Sequence, residues 1–324
     1  MRIAITGSIA TDHLMTFPGR FVEQFIPEKM DRVSLSFLVD RLEIRRGGVA
    51  ANIAFGLGVL GLKPLLIGAV GADFAPYRTW LTQHGVDCGG VRESTTQHTA
   101  RFVCTTDADG NQIASFYPGA MSEDADIELA ALAEQAGGLD LVLVGASDPA
   151  AMLSHTQECK DLGIPFAADL SQQLPRLASG EVCSLVDGAA YLFCNEYEEA
   201  LIERKSCWSG PEILDRVGVR ITTLGAAGAK IEQAGAEPVF VAAVPEVQKL
   251  DPTGTGDAFR SGFLSAVAWG LPLDRAAQLG NLLAVHVLET IGTQEYELKP
   301  GALAERLSGA YGEAAAAEIA THYS

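Results

Sequence analysis

The stretch Asp251-Pro252-Thr253-Gly254-Thr255-Gly256-Asp257-Ala258-Phe259 bends on two glycines and runs directly into an amphipathic helical pattern that continues through Trp269. A double glycine lets the backbone turn tightly, so that several amide N–H groups face one point, and the helix that follows adds its positive N-terminal end. The product is an anion hole made without cationic side chains. Asp257 falls in the first turn of that helix, where a carboxylate can take the proton of an attacking hydroxyl. An acidic cap occurs at many helix starts. A cap needs one polar residue, however, whereas this segment has an acid at each end, a rigid Pro and two glycines.

Outward from the bend, short apolar runs alternate with helix-period segments, the pattern of crossover units around a largely parallel sheet. The expected strands are Ile3-Thr6, Leu65-Ala69, Leu141-Gly145, Phe166-Asp169, Tyr191-Cys194 and Ile221-Leu224. Ligands of such sheets gather beyond the carboxyl ends of the strands, which places Ser8, Asp12, Asp169, Asn195 and Thr223 on one rim. Residues 13–45 and 96–118 break the alternation. The second reads as a hairpin, Ala100 to Thr106 and Gln112 to Tyr117, turning at Ala108-Asp109-Gly110. Both are expected to form a small β lid on a large α/β domain made of residues 1–12, 46–95 and 119–324; the bland alternative is a set of edge strands without a role in catalysis. Phe102 and Phe116 fall on opposite strands of the hairpin, so both rings can point to one face.

The 324 residues exceed what one hydrophobic core usually absorbs, consistent with a large domain plus a smaller one. A net charge of -18 and a pI near 4.7 argue against a nucleic-acid partner, which requires basic surface. The six cysteines contain no C-x-x-C pair and fit buried thiols in a reducing compartment. The chain opens on a strand-like Arg2-Ile3-Ala4-Ile5 with no leader pattern, and no apolar run approaches membrane-spanning length. A cytoplasmic location is therefore expected. Gly56-Leu57-Gly58-Val59-Leu60-Gly61 matches a dinucleotide fingerprint literally, but it lies inside a helical pattern that runs into Lys63-Pro64 and a strand, where no phosphate-binding helix can follow. No G-x-x-x-x-G-K-[ST] segment and no zinc-type cluster is present.

Three further segments carry chemistry: Arg46-Gly47-Gly48-Val49-Ala50-Ala51-Asn52, Asn195-Glu196-Tyr197-Glu198, and Thr222-Thr223-Leu224-Gly225-Ala226-Ala227-Gly228. With the glycine bend they resemble, in order, the signatures of the ribokinase, or PfkB, carbohydrate kinase family. The finer resemblance is to adenosine kinases of actinobacterial type, through Gly7-Ser8-Ile9-Ala10-Thr11-Asp12-His13-Leu14, Ile113-Ala114-Ser115-Phe116-Tyr117-Pro118-Gly119 and Ser171-Gln172-Gln173, among others. The resemblance implies a ribokinase-like three-layer α/β/α domain with a β-sheet lid, and transfer of the ATP γ-phosphate to the 5′-hydroxyl of adenosine.

Carried over residue by residue, it makes Asp257 the base and Gly254, Thr255 and Gly256 the anion hole. Asp12 takes the ribose 2′ and 3′ hydroxyls with Gly48 and Asn52; Ser8, Gln172 and Gln173 contact the nucleoside, and Phe102 and Phe116 sandwich its purine. Asn195, Thr223, Leu224, Gly225, Ala226, Ala227, Gly228 and Gly256 serve ATP, with Asn281 and His286 near the adenine. Glu198 holds Mg²⁺ through water, and a K⁺ site falls at Asp251, Thr253 and the carbonyls around Ile291-Gly292. Thr255 departs from the family pattern, which has Ala there. A ribose or fructose kinase is the nearest rival, and a non-catalytic binding protein of the same fold a more distant one. The apolar residues Phe37, Leu38 and Val39 and an open lid edge point to a homodimer formed through the lid.

Overall fold

The computed structural model describes residues 1–323. In chain order the strands are β1 (Ile3–Thr6), β2 (Ala10–Thr16), β3 (Arg41–Gly47), β4 (Leu65–Val70), β5 (Asp87–Glu93), β6 (Ala100–Thr106), β7 (Gln112–Tyr117), β8 (Leu141–Val144), β9 (Phe166–Asp169), β10 (Tyr191–Asn195), β11 (Val219–Thr223), β12 (Ala229–Glu232) and β13 (Val239–Val241). The strands β1, β4, β8 and β9 are buried at every position, as continuous apolar runs are when a sheet is covered on both faces.

Nine strands form one sheet in the order β13-β12-β11-β10-β9-β8-β1-β4-β5, parallel from β11 to β5 and antiparallel at β12 and β13. Alternate side chains of each strand enter different cores. Ile3, Ile5, Leu141 and Leu143 pack with the helices Val49–Val59, Thr255–Ala268 and Leu273–Leu288, whereas Ala4, Val142 and Val144 pack with Pro149–Leu162, Ser179–Val186 and Glu196–Ser206. The result is the three-layer ribokinase-like architecture that the motif order implied. The expected list of strands lacked β5, β12 and β13. β5 contains Gly89-Gly90, and the edge strand β13 leaves Val239 and Phe240 exposed; neither has the apolar continuity that marks a central strand.

The second sheet has the order β3-β2-β6-β7, with β2 antiparallel to β3 and parallel to β6. Its hairpin β6–β7 has the expected bounds and sets Phe102 opposite Phe116. Gly110 in the connecting turn has φ 83°, and Asp107 accepts the Asp109 and Asn111 amides at 3.0 and 2.9 Å. β3 leads through Gly48 into the helix Val49–Val59. Gly48 has φ 96°, and a Cβ there would lie 2.5 Å from the Ser8 carbonyl oxygen and 2.6 Å from the Ala10 amide nitrogen, so only glycine fits. This close approach locks β1, β2 and the helix start into one corner. All six cysteines are free, and four are buried. No helix among the described residues is long and apolar enough to cross a membrane.

Candidate active site

The glycine bend lies beyond the carboxyl ends of the parallel strands. Gly254 caps the helix Thr255–Ala268 in the left-handed region at φ 78°, where a β-carbon is disfavoured. The first helical hydrogen bond runs from the Ala258 amide to the Gly254 carbonyl at 2.9 Å. Ahead of it the Gly256 and Asp257 amides lack helical acceptors and are available to an anion, whereas the Thr255 amide, expected in the anion hole, donates to the Pro252 carbonyl at 3.3 Å.

Asp257 is held from a distant part of the chain. The Asn52 side-chain N–H donates to its Oδ2 at 2.8 Å, while Asn52 Oδ1 accepts Thr293 Oγ1 and Gln294 Nε2, both at 2.9 Å. Gln294 is fully buried, and its Nε2 also reaches Tyr77 Oη at 2.5 Å. Asn52 thus keeps one N–H free for a substrate hydroxyl. Burial pushes the Asp257 carboxyl up to about 7, against the pull of the Asn52 hydrogen bond and Arg260, with Asp169 and Asp12 pushing the same way as burial. A carboxylate poised near neutrality suits a general base.

Arg260 fixes the other side of the bend. It donates to the Gly256 carbonyl at 2.9 Å and to Asp169 Oδ1 at 2.7 Å, and its Nε lies 2.5 Å from Asp169 Oδ2 in an ion-pair contact rather than an aligned hydrogen bond. Asp169 is wholly buried and also accepts Ser171 Oγ at 2.6 Å. Ser171 has φ 40°, a strained conformation for a residue with a β-carbon. The turn it starts carries Gln172 and Gln173 to the cavity wall.

Two cavities meet at the bend. One, of about 670 Å³, is lined by Ser8, Asp12, Gly48, Asn52, Phe102, Phe116, Gln172, Gln173, Gly254, Gly256 and Asp257, that is, by every residue expected on the acceptor side. The other, of about 360 Å³, is lined by Thr223, Gly225, Ala226, Gly228, Thr255, Gly256 and Asn281. Gly256 borders both. Asp12, paired in register with Arg45 and Phe102, is raised to about 6 by burial, Arg45 opposing.

Other expected positions lie elsewhere. Leu224, Ala227 and His286 do not line the second cavity; Asn281 does, and donates to the Val241 and Ala242 carbonyls. Asn195 and Glu198 border neither cavity and form a reciprocal helix cap, Asn195 Oδ1 accepting the Glu198 amide and Glu198 Oε2 the Asn195 amide, both at 2.9 Å. Glu198 nonetheless feels Asp169 and Arg260, and burial raises its carboxyl. Thr293, Gln294, Tyr77, Arg260 and Arg176 were not anticipated. A lone Arg between Phe259 and Phe263 in a helical pattern is a sequence signal of such a role.

Among the described residues no group of three or more His, Cys, Asp or Glu is placed to hold a metal ion. Glu198 keeps one carboxylate oxygen outside the cap, which is the oxygen that would meet Mg²⁺ through water. Asp251 does not suit K⁺. Its Oδ1 accepts the Thr253 amide at 3.0 Å, its Oδ2 the Gly292 amide at 3.3 Å, and the Arg45 guanidinium lies 3.4 Å from Oδ2. These partners are N–H donors, not the oxygens a hard cation requires.

A family model described as pfkB family carbohydrate kinase matches residues 7–299. The chain is 27% identical to a nucleoside kinase of Methanocaldococcus jannaschii over 298 residues, 90% of this chain and 92% of that one. It is 25% identical to a ribokinase of Bacillus subtilis, covering 90% and 94%. Among solved structures it resembles a nucleoside kinase of Burkholderia thailandensis in complex with inosine, with a TM-score of 0.84 and 34% identity over 96% of this chain and 99% of that one. The glycine bend, its half-buried acid and the paired cavities therefore stand in a chain that belongs to the PfkB family of carbohydrate kinases.

Proposed function

We propose that this chain is an ATP-dependent nucleoside kinase that phosphorylates the 5′-hydroxyl of adenosine to give AMP, a reaction of purine salvage. The observation that carries the reading is Gly256, which borders both cavities, with Asp257 on the wall of the larger one. The larger cavity takes the nucleoside and the smaller the nucleotide, so the γ-phosphoryl group meets the acceptor hydroxyl at the bend. Asp257 takes the hydroxyl proton as the oxygen attacks, and the first-turn amides receive the charge that develops on the phosphoryl oxygens. Mg²⁺, when bound, neutralises the nucleotide phosphates. The ionised Asp12 accepts the ribose 2′ and 3′ hydroxyls, and closure of the small sheet as a lid excludes water that would otherwise hydrolyse ATP.

A second reading places a 6-oxopurine nucleoside in the same cavity. Arg176 lines the cavity and is exposed. A guanidinium donates only, so it matches the O6 and N7 acceptors of a 6-oxopurine and offers nothing to an adenine amino group. The Burkholderia relative was solved with inosine.

A coupled ATP assay with adenosine, inosine, guanosine, ribose and fructose in parallel decides. Nucleoside kcat/KM is expected to exceed that of ribose at least tenfold. Phe102→Ala is expected to lower it about 5–150-fold for nucleosides, as the loss of about 1–3 kcal/mol of base stacking does, with ribose unaffected. Ribose as the preferred acceptor would return the chain to the sugar kinases.

We also propose a cytoplasmic homodimer through the small sheet, on which Leu42, Ile44, Ile113 and Tyr117 are exposed. Sedimentation at micromolar concentration should give twice the 34.2 kDa chain mass; a single-chain mass removes the dimer.

A further inference from the structure

We propose that Arg45 is the built-in cation of the phosphate-binding bend, standing where the family resemblance puts K⁺, so that phosphoryl transfer proceeds without a monovalent metal ion. The proposal rests on the kinase reading above.

Asp251 opens the bend, and both of its carboxylate oxygens are already committed. One holds the Thr253 amide; the other holds the Gly292 amide and faces the Arg45 guanidinium. Arg45 comes from β3 of the small sheet, 206 residues away, and its side chain and that of Asp251 are 21% and 19% exposed, so the pair is largely screened from water. Its Nε, at 3.1 Å, and its Nη2 both donate to Glu43 Oε2, which orients the fork toward Asp251. A guanidinium cannot be discharged at any working pH, so Asp251 faces a fixed positive charge from within the chain, one that it shares with Glu43.

The pair does more than balance charge. Asp251 anchors Gly292, and the next two residues, Thr293 and Gln294, hold Asn52, which in turn holds Asp257. Thr293 Oγ1 also donates to the Arg46 carbonyl at 3.0 Å, tying the same loop to the residue after Arg45. Arg45 is thus a positioning residue. It sets the bend and, through the loop 292–294, the amide that orients the base. A small cavity beside it, of about 90 Å³, is lined by Asp12, Arg45, Asp251, Thr253, Gly292 and Thr293. With the arginine side chain removed, that space and the freed Asp251 oxygen become available to a cation of K⁺ size.

The test measures turnover and melting temperature of the wild type and of Arg45→Met, at equal ionic strength, in KCl, NaCl and tetramethylammonium chloride. Wild-type kcat is expected to agree within about twofold in all three salts, with no melting shift specific to K⁺. Arg45→Met is expected to lose at least about tenfold in kcat in tetramethylammonium, to regain at least about threefold in KCl, and to show a K⁺-specific rise in melting temperature; Arg45→Lys should keep most of the activity. A wild-type rate about fivefold or more higher in KCl than in tetramethylammonium would overturn the proposal. So would an Arg45→Met enzyme as fast as wild type in tetramethylammonium, or a loss that KCl does not restore. If Arg45→Met does not fold, the wild-type salt series decides alone. Absence of turnover in every salt counts against the kinase reading instead, and the K⁺-specific melting shift in Arg45→Met but not in wild type then still judges the cation assignment.

Discussion

Asp257→Asn is expected to lower kcat by about 10²–10⁴-fold while the KM for nucleoside changes by less than about threefold, the usual loss when a positioned base is removed. The amide keeps the shape and the contact with Asn52, so binding survives and proton removal does not. The pH profile gives an independent reading. Burial holds the Asp257 carboxyl at about 7, so its basic form is present above that pH and is lost as pH falls through it. Wild-type kcat/KM should rise between about pH 6 and 8 and then level off, with a steeper fall below about 6 as Asp12 takes a proton. In Asp257→Asn the step near 7 should vanish. Near-wild-type turnover in the Asn enzyme, or a step that persists there, would remove Asp257 from the role of base.

Arg260→Met should cost about 3–5 kcal/mol of stability, because it leaves the wholly buried Asp169 charged without its partner. Urea or thermal unfolding reads this directly. The pair is worth less than that loss suggests: the double variant Asp169→Leu/Arg260→Met removes both charges and should recover much of the stability, as replaced buried ion pairs often do. Activity should not recover with it. Arg260 holds the Gly256 carbonyl, and Asp169 holds the strained Ser171 turn that presents Gln172 and Gln173. A loss below about 1 kcal/mol in the single variant would mean that solvent reaches Asp169.

The parts of this molecule that were legible in the sequence are those whose physics is local. The bend at Gly254, the hairpin β6–β7 and the apolar central strands each follow from residues within a few positions of one another. What escaped is long-range. Asn52 and Asp257 lie 205 residues apart, and Thr293 and Gln294 reach Asn52 from 241 and 242 positions away. No periodicity marks Thr293-Gln294, a polar pair in a loop that reads as solvated until the fold buries it. Asn195 and Glu198 show the converse: their three-residue spacing signals a helix cap as readily as a ligand site, and the structure makes them a cap. Arg45 escaped because an arginine on an alternating strand usually points to water.

The small sheet is made by two excursions of the chain, residues 10–47 and 100–117, each leaving the large sheet and returning to it. They bring Asp12, Phe102 and Phe116 to the larger cavity, whereas the bend, Asp257 and the smaller cavity lie outside the two excursions. The wall of the larger cavity is thus shared, Asp12, Phe102 and Phe116 of the inserts facing Ser8, Asn52, Gln172 and Gln173 of the larger body. Exchanging the two inserts would reshape one side of that cavity while the glycine bend stayed intact, with Arg45 the stitch that any transplanted insert must supply.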